Sequence, residues 1–308
     1  MKKKIAIALL LLVTLSGCTK RFTIEVGEGD KKIEKSYVSN ILCKPESKDL
    51  QDIYTATAND EFLTIDYEKL PKCENLKINS GGYEGLWTTF FVKPLAWIIV
   101  KVGLLVKNYG LAIMLVGVAL RAIMIPLTKK SNNLSENMKK AQKDLNNLEK
   151  KYKGKEEDRD AQMMKAQEMM VIYKKYDINP MSGCLFTFLQ LPIFFAFLEA
   201  VYRVPAFFEK DFLVFNLGTT PLEGFMVGNY WYIILIVLII AATYYTFRNM
   251  NNNGTNDEQA KQMKTMGTIM TIFISLASFS LPTSIALYWI VSNGFTIVQN
   301  FILKKGKK

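Results

Sequence analysis

The chain is predicted to be an all-α membrane protein: five transmembrane helices, an outer interfacial helix and a cytoplasmic antiparallel helical hairpin. Three observations carry this. Half of its 308 residues are hydrophobic and 22% are charged, too apolar for an ordinary soluble domain and too charged for a bare bundle of membrane helices. The charge lies in blocks between apolar segments, five of which are long enough to cross a hydrocarbon core of ~30 Å. The connections richest in Lys and Arg also fall on one side when the segments are threaded in order.

The first element is an address. Lys2, Lys3 and Lys4 precede a short apolar core, Ile5 to Val13. That core is too short to span, so residues 1–17 read as a signal peptide. Leu15-Ser16-Gly17-Cys18 resembles the lipobox of bacterial lipoproteins, in which the cysteine is acylated and the peptide is cut before it. Cys18 is therefore the expected lipidation site; the alternative is a signal with an incidental cysteine. Segment 18–84 follows outside the cytoplasm as a small domain or extended linker. Phe22-Thr23-Ile24-Glu25-Val26 alternates as a strand does. Cys43 and Cys73 are a possible disulfide that would staple a domain with little core; the alternative is two unpaired thiols.

Residues 85–107 are apolar but interrupted by Lys93, Pro94 and Lys101, with Trp87 and Trp97 suited to an interface. They read as an amphipathic helix lying in the outer interface, with a poor transmembrane helix as the alternative. The core at 109–303 holds spans at 109–128, 183–202, 229–247, 265–282 and 284–303, the last two separated by Pro282. The connection 129–177 carries 13 Lys/Arg against 9 acids, and the tail 304–308 is basic. Arg248, Lys261 and Lys264 lie in the connection 248–264, whereas 203–228 is poor in basic residues. All three basic segments are cytoplasmic if the first span runs inward, and an exported N-terminus requires the same direction.

Within 131–177, Leu134, Met138, Ala141, Leu145, Leu148 and Tyr152 step by fours and threes as a heptad seam. Lys153-Gly154-Lys155 breaks it, and Met163, Ala166, Met170 and Tyr173 are expected to continue it on the returning helix. The Lys-rich faces suit lipid headgroups, a partner protein or ribosomal RNA alike.

Arg121 lies inside the first span, where a charge at the helix centre costs roughly 2.5–3.5 kcal/mol. The last span carries Ser284, Tyr288, Ser292, Thr296 and Asn300 at steps of four, with Trp289 and Asn293 beside them. Each polar residue alone is accounted for by ordinary interhelical hydrogen bonding. Together with Arg121 they predict a polar cavity, to which Gln190, Thr243, Tyr244 and Thr246 are further candidates. Glu199 is the only carboxylate in the five spans, so the sequence offers no obvious buried counter-ion for Arg121 and no proton relay of paired acids. There is no histidine, which removes the usual general base, the usual zinc ligand and any HExxH motif. GxSxG, Walker A and GxGxxG turns are missing too. No catalytic residue, metal site or cofactor is expected, and the chain is not expected to be an enzyme. The net charge of +11 is not spread as a DNA-binding face, because segment 19–82 carries 10 Lys/Arg against 12 acids.

Four stretches, GLWTTFFVKPLAW (85–97), YGLAIMLVGVALRAIMIPLTKKS (109–131), YDINPMSGCLFTFLQLPIFFAFLEA (176–200) and IALYWIVSNGFTIVQNFILKK (285–305), resemble the YidC family of membrane protein insertases in the Oxa-type superfamily. The form resembled is the five-span lipoprotein of Gram-positive-type bacteria. The resemblance implies five helices around a hydrophilic groove open to the cytoplasm and to lipid. It implies that Arg121 is the groove arginine and Trp289 a groove-facing aromatic; Gln190, Thr243, Tyr244, Tyr288, Ser292 and Asn293, read from their polarity within the spans, are the other candidate groove residues. It implies a monomer whose partners are nascent membrane proteins and lipid, with the Sec translocon and the ribosome as further candidates. The hairpin would receive substrate, and the tail would bind ribosomes or merely anchor the topology. From the residues alone, a secondary transporter with an intramembrane arginine is the rival reading, though no internal repeat supports it.

Overall fold

A computed structural model describes residues 21–26, 33–57, 67–155, 157–178, 192–251 and 258–305. Cys18, Gln190 and the tail beyond Lys305 lie outside them. The chain divides into two compact units, one comprising Met1–Val116, Leu191–Tyr232 and Leu281–Tyr288, the other Gly117–Gln190, Ile233–Ser280 and Trp289–Lys308.

The first unit opens with an antiparallel hairpin, β1 (Arg21–Val26) and β2 (Ile33–Val38), paired from Arg21↔Val38 to Val26↔Ile33. The alternation works as the strand pattern requires: Phe22 is buried between exposed Arg21 and Thr23. Helix α1 (Lys48–Thr57) adds Tyr54, and Phe22, Ile41, Tyr54 and Tyr67 form a small aromatic core. The described residues of segment 18–84 thus share a small core. Cys43 and Cys73 are joined, with Cα atoms 4.8 Å apart.

Helix α2 (Gly85–Val106) is one of two described helices long and apolar enough to cross a membrane. Residues Thr88–Val92 form a π-helical turn immediately before Pro94; such turns insert where the regular ladder is interrupted. Its end is set by Lys107, held left-handed at φ 54°, after which Asn108 Oδ1 accepts the Leu111 N–H and starts the next helix. The rest of this unit comprises helices α6 (Pro192–Tyr202), α7 (Pro205–Phe208) and α8 (Pro221–Met226), with a two-residue-turn hairpin, β3 (Asp211–Phe212) and β4 (Phe215–Asn216).

Helix α3 (Tyr109–Ile123), which the division of the two units cuts after Val116, continues through Met124 into α4 (Ile125–Tyr152). The regular helix of the first predicted span thus ends five residues early. Pro126 has no N–H to give the carbonyl four residues back, and Met124 N–H is shared between the carbonyls of Leu120 and Arg121. Helix α5 (Arg159–Lys175) returns after Gly154, at φ 84°, with Asp158 capping it through the N–H groups of Asp160 and Ala161. On α4, Met138, Ala141, Leu145, Leu148 and Tyr152 line the seam, while Leu134 is not described at side-chain level. On α5 the expected seam is corrected. Met163, Ala166 and Met170 are exposed; Tyr173 packs inward as expected, joined by Ala161, Met169, Ile172 and Tyr176. This helix is apolar on both sides, so period alone could not tell which stripe was covered.

Helices α9 (Tyr232–Asn251), α10 (Glu258–Ala277) and α11 (Thr283–Lys305) complete the bundle elements. Each exposes large apolar side chains, among them Val237, Phe273 and Phe301. Stripes of that extent are untenable against water and fit lipid.

Candidate functional site

Arg121 sits two residues before the end of α3, and its Nε–H donates to Ser292 Oγ of α11. Ser292 is buried and Arg121 half-buried. One turn earlier on α11, Trp289 Nε1–H donates to Thr243 Oγ1 of α9 at 3.0 Å, and Thr243 is buried. Two side-chain bonds thus tie three helices together through four of the predicted residues. Asn293, also buried, donates to the Trp289 carbonyl, and Thr296 to that of Ser292, each at 3.0 Å. Thr246 bonds the Ala242 carbonyl likewise. These bonds stay within one helix and satisfy polar groups without a neighbour, so Thr246, Asn293 and Thr296 widen the polar face without themselves bridging to another helix through these bonds.

Two more of the predicted residues have other described neighbours. Tyr244 follows Thr243 but points about 100° away around the helix. It is exposed beside Tyr245, on the stripe that also holds Val237 and Ile240. Tyr288 belongs to the first unit; it is buried and stacks on Phe197, ring centroids 4.0 Å apart. Gln190 lies outside the described residues.

The Arg121 constellation is equipped for recognition. A guanidinium carries five N–H donors in a fixed fork that matches carboxylates. Ser292 anchors that fork through Nε, and the hydroxyl, indole and amide groups beside it are neutral. A metal-binding cluster of His, Cys, Asp or Glu is absent among the described residues.

The first unit holds a second polar centre that the sequence did not single out. Arg203, at the end of α6, is fully buried. It is paired with the Glu84 carboxylate, lies 3.5 Å from Glu199 Oε1, and donates through Nε to the Asn40 carbonyl at 2.6 Å. Lys93 of α2, equally buried, pairs with the other oxygen of Glu84 at 2.7 Å. Glu199 also accepts the Trp87 indole N–H at 2.8 Å. Two cations and two carboxylates thus join the N-terminal domain, α2 and α6. The available signal was the i, i+4 spacing of Glu199 and Arg203; the partners Glu84 and Lys93 are over 100 residues away and carry no local mark.

A family model described as 60Kd inner membrane protein matches residues 101–308. The membrane protein insertase YidC of Alkalihalophilus pseudofirmus is 36% identical over 221 residues, covering 71% of this chain and 82% of that protein. Membrane protein insertase MisCA of Bacillus subtilis is 34% identical over 219 residues, covering 71% and 79%. A crystal structure of an active YidC insertase with its first transmembrane domain resolved superposes with a TM-score of 0.52 at 24% identity. It covers 92% of this chain, and the chain spans 61% of that one; at this identity the likeness speaks to fold.

Proposed function

This chain belongs to the 60Kd inner membrane protein family, among the YidC-type insertases, and we infer that it moves short hydrophilic segments of nascent membrane proteins partway through the bilayer and releases their apolar helices into lipid. The observation that carries the reading is the arginine of α3 seated on Ser292 beside the Thr243–Trp289 link. A polar, neutral face around one fixed cation lowers the cost of bringing an acidic or polar segment into the membrane. Arg121 attracts the segment's carboxylates, and the adjoining apolar segment partitions into lipid, where hydrophobic transfer drives insertion. The relatives are named insertases, which favours this reading over a secondary transporter.

The finer assignments follow from the charge pattern. The N-terminus lies outside, anchored through a lipidated Cys18, and the C-terminus in the cytoplasm. Helix α2 lies in the outer interface: Lys93 pairs with Glu84, and Lys101 Nζ donates to the Glu74 carbonyl, which suits the edge of the bilayer better than its centre. The hairpin α4–α5 lies in the cytoplasm and receives substrate. The chain works as a monomer, alone or with the Sec translocon, and its basic tail contacts ribosomes.

The test is depletion and complementation, reading insertion of a small single-span substrate with an acidic translocated segment. Arg121→Ala is expected to lower insertion by roughly tenfold, the equivalent of about 1.4 kcal/mol. Arg121→Lys keeps the charge but has no Nε donor for Ser292, so it restores only part. Normal insertion of every substrate by both variants would overturn the mechanism.

A further inference from the structure

We propose that the connection 212–231 is immersed in the bilayer surface, forming a rim seated in the leaflet opposite the basic connections. Its composition is the first observation. Twenty residues, FLVFNLGTTPLEGFMVGNYW, contain one charge, Glu223. That carboxylate is occupied in a capping box with Thr220 at the start of α8.

The second observation is the hairpin tip. Phe212 pairs with Phe215, so Leu213 and Val214 are the two turn residues. Leu213 takes φ 57°, a conformation that turns usually give to glycine or asparagine. A bulky apolar side chain there is strained, and it is 80% exposed. In water the position has nothing to recommend leucine; in lipid the exposed side chain is solvated.

The third observation is what surrounds the tip. Leu213, Val214, Val227 and Tyr232 line one cavity of about 380 Å³ together with the polar Asp211 and Asn229. Tyr232 holds the hairpin in place, accepting the Asn216 N–H through its hydroxyl at 3.2 Å and packing edge-on against Phe215. Gly224 admits that ring, since a Cβ there would fall 2.3 Å from Tyr232. Hairpin and α8 turn are therefore one packed edge. Val227 is 68% exposed and Trp231 60% exposed, with Tyr230 beside it. Tyr and Trp at the mouth of an apolar helix are the side chains of a membrane–water belt, and α9, which begins at Tyr232, goes on to expose Ile233, Ile234, Val237 and Leu238. The apolar surface of the rim runs along the chain directly into the lipid-facing stripe of that helix. Its occupant is accordingly lipid.

The experiment uses the full chain in phosphatidylglycerol–phosphatidylethanolamine vesicles. A ketone side chain introduced at position 213, 227 or 48 and coupled to a nitroxide leaves the native cysteines untouched. Labels at 213 and 227 are expected to be more accessible to oxygen than to nickel–EDDA, and the label at 48, on the exposed first turn of α1, the reverse. Nickel–EDDA accessibility at 213 and 227 equal to that at 48 would overturn the proposal. So would low accessibility to both reagents, the mark of cover by protein. Reduction of the position 48 label by a membrane-impermeant reagent added outside sorted vesicles reports the orientation separately, so a wrong topology and a dry rim give different results.

Discussion

Arg203 depends wholly on its neighbours. It is fully buried, and Glu84, Glu199 and the Asn40 carbonyl surround it. Removing one partner of a buried ion pair leaves the others uncompensated, at a cost of about 3–5 kcal/mol. Arg203→Ala is therefore expected to lower the thermal midpoint in detergent far more than Glu199→Gln, whose amide oxygen still accepts from Trp87. The link between Trp289 and Thr243 is smaller. Thr243→Val removes the acceptor of a half-buried indole N–H, costing about 0.6–2 kcal/mol, and Trp289→Phe in the same chain recovers part of it; thermal midpoints of the two singles and the double measure the coupling. At this scale much of the site was legible. An arginine in an apolar run and a polar stripe at steps of four both announce themselves. Neighbouring candidates were harder to separate: Thr243 and Tyr244 have similar polarity on paper, and only the rotation of α9 decides which one meets Trp289.

At the scale of elements, the hairpin α4–α5 is clipped at both ends. Lys175 and then Tyr176 hydrogen-bond Asp144, and Lys151 and then Tyr152 hydrogen-bond Glu168. Each carboxyl is held below its ordinary range by those bonds. A lowered folded value means stabilisation that is complete above the unfolded value, roughly pH 4, and lost as pH falls through the folded value. Amide exchange across 141–176, corrected for intrinsic rate, is expected to lose protection below about pH 4, and Asp144→Asn with Glu168→Gln to remove that dependence. The turn between α2 and α3 rests on Gly103, where a Cβ would fall 2.1 Å from the Tyr109 ring. Gly103→Ala is expected to cost about 1–3 kcal/mol from overpacking, and Tyr109→Leu alongside it to regain part, again read as thermal midpoints. The helix periods on α4 were readable because its apolar stripe is single. On α5 there are two, and packing against α4 chose the one containing Met169 and Ile172 over the one containing Met163 and Met170.

For the whole molecule, the described residues before α2 share a small core and are stapled across a sequence separation of 30. Closing a loop of that length restricts the unfolded chain by about 3–4 kcal/mol. Reduction, or Cys43→Ser with Cys73→Ser, is expected to expose 33–84 to limited proteolysis while leaving α9 and α11 protected; equal loss of both would mean that the domain is not independent. The sequence by itself determined where the apolar and charged blocks fall and marked the arginine among them, because hydropathy, charge and spacing are local properties written along the chain. Tertiary structure alone decided which polar side chains meet. Ser292 accepts from Arg121, Tyr288 stacks on Phe197, and Glu84 with Lys93 completes the setting of Arg203. Those pairings join residues up to 171 positions apart, and their choice follows from helix rotation and packing, which no local pattern encodes.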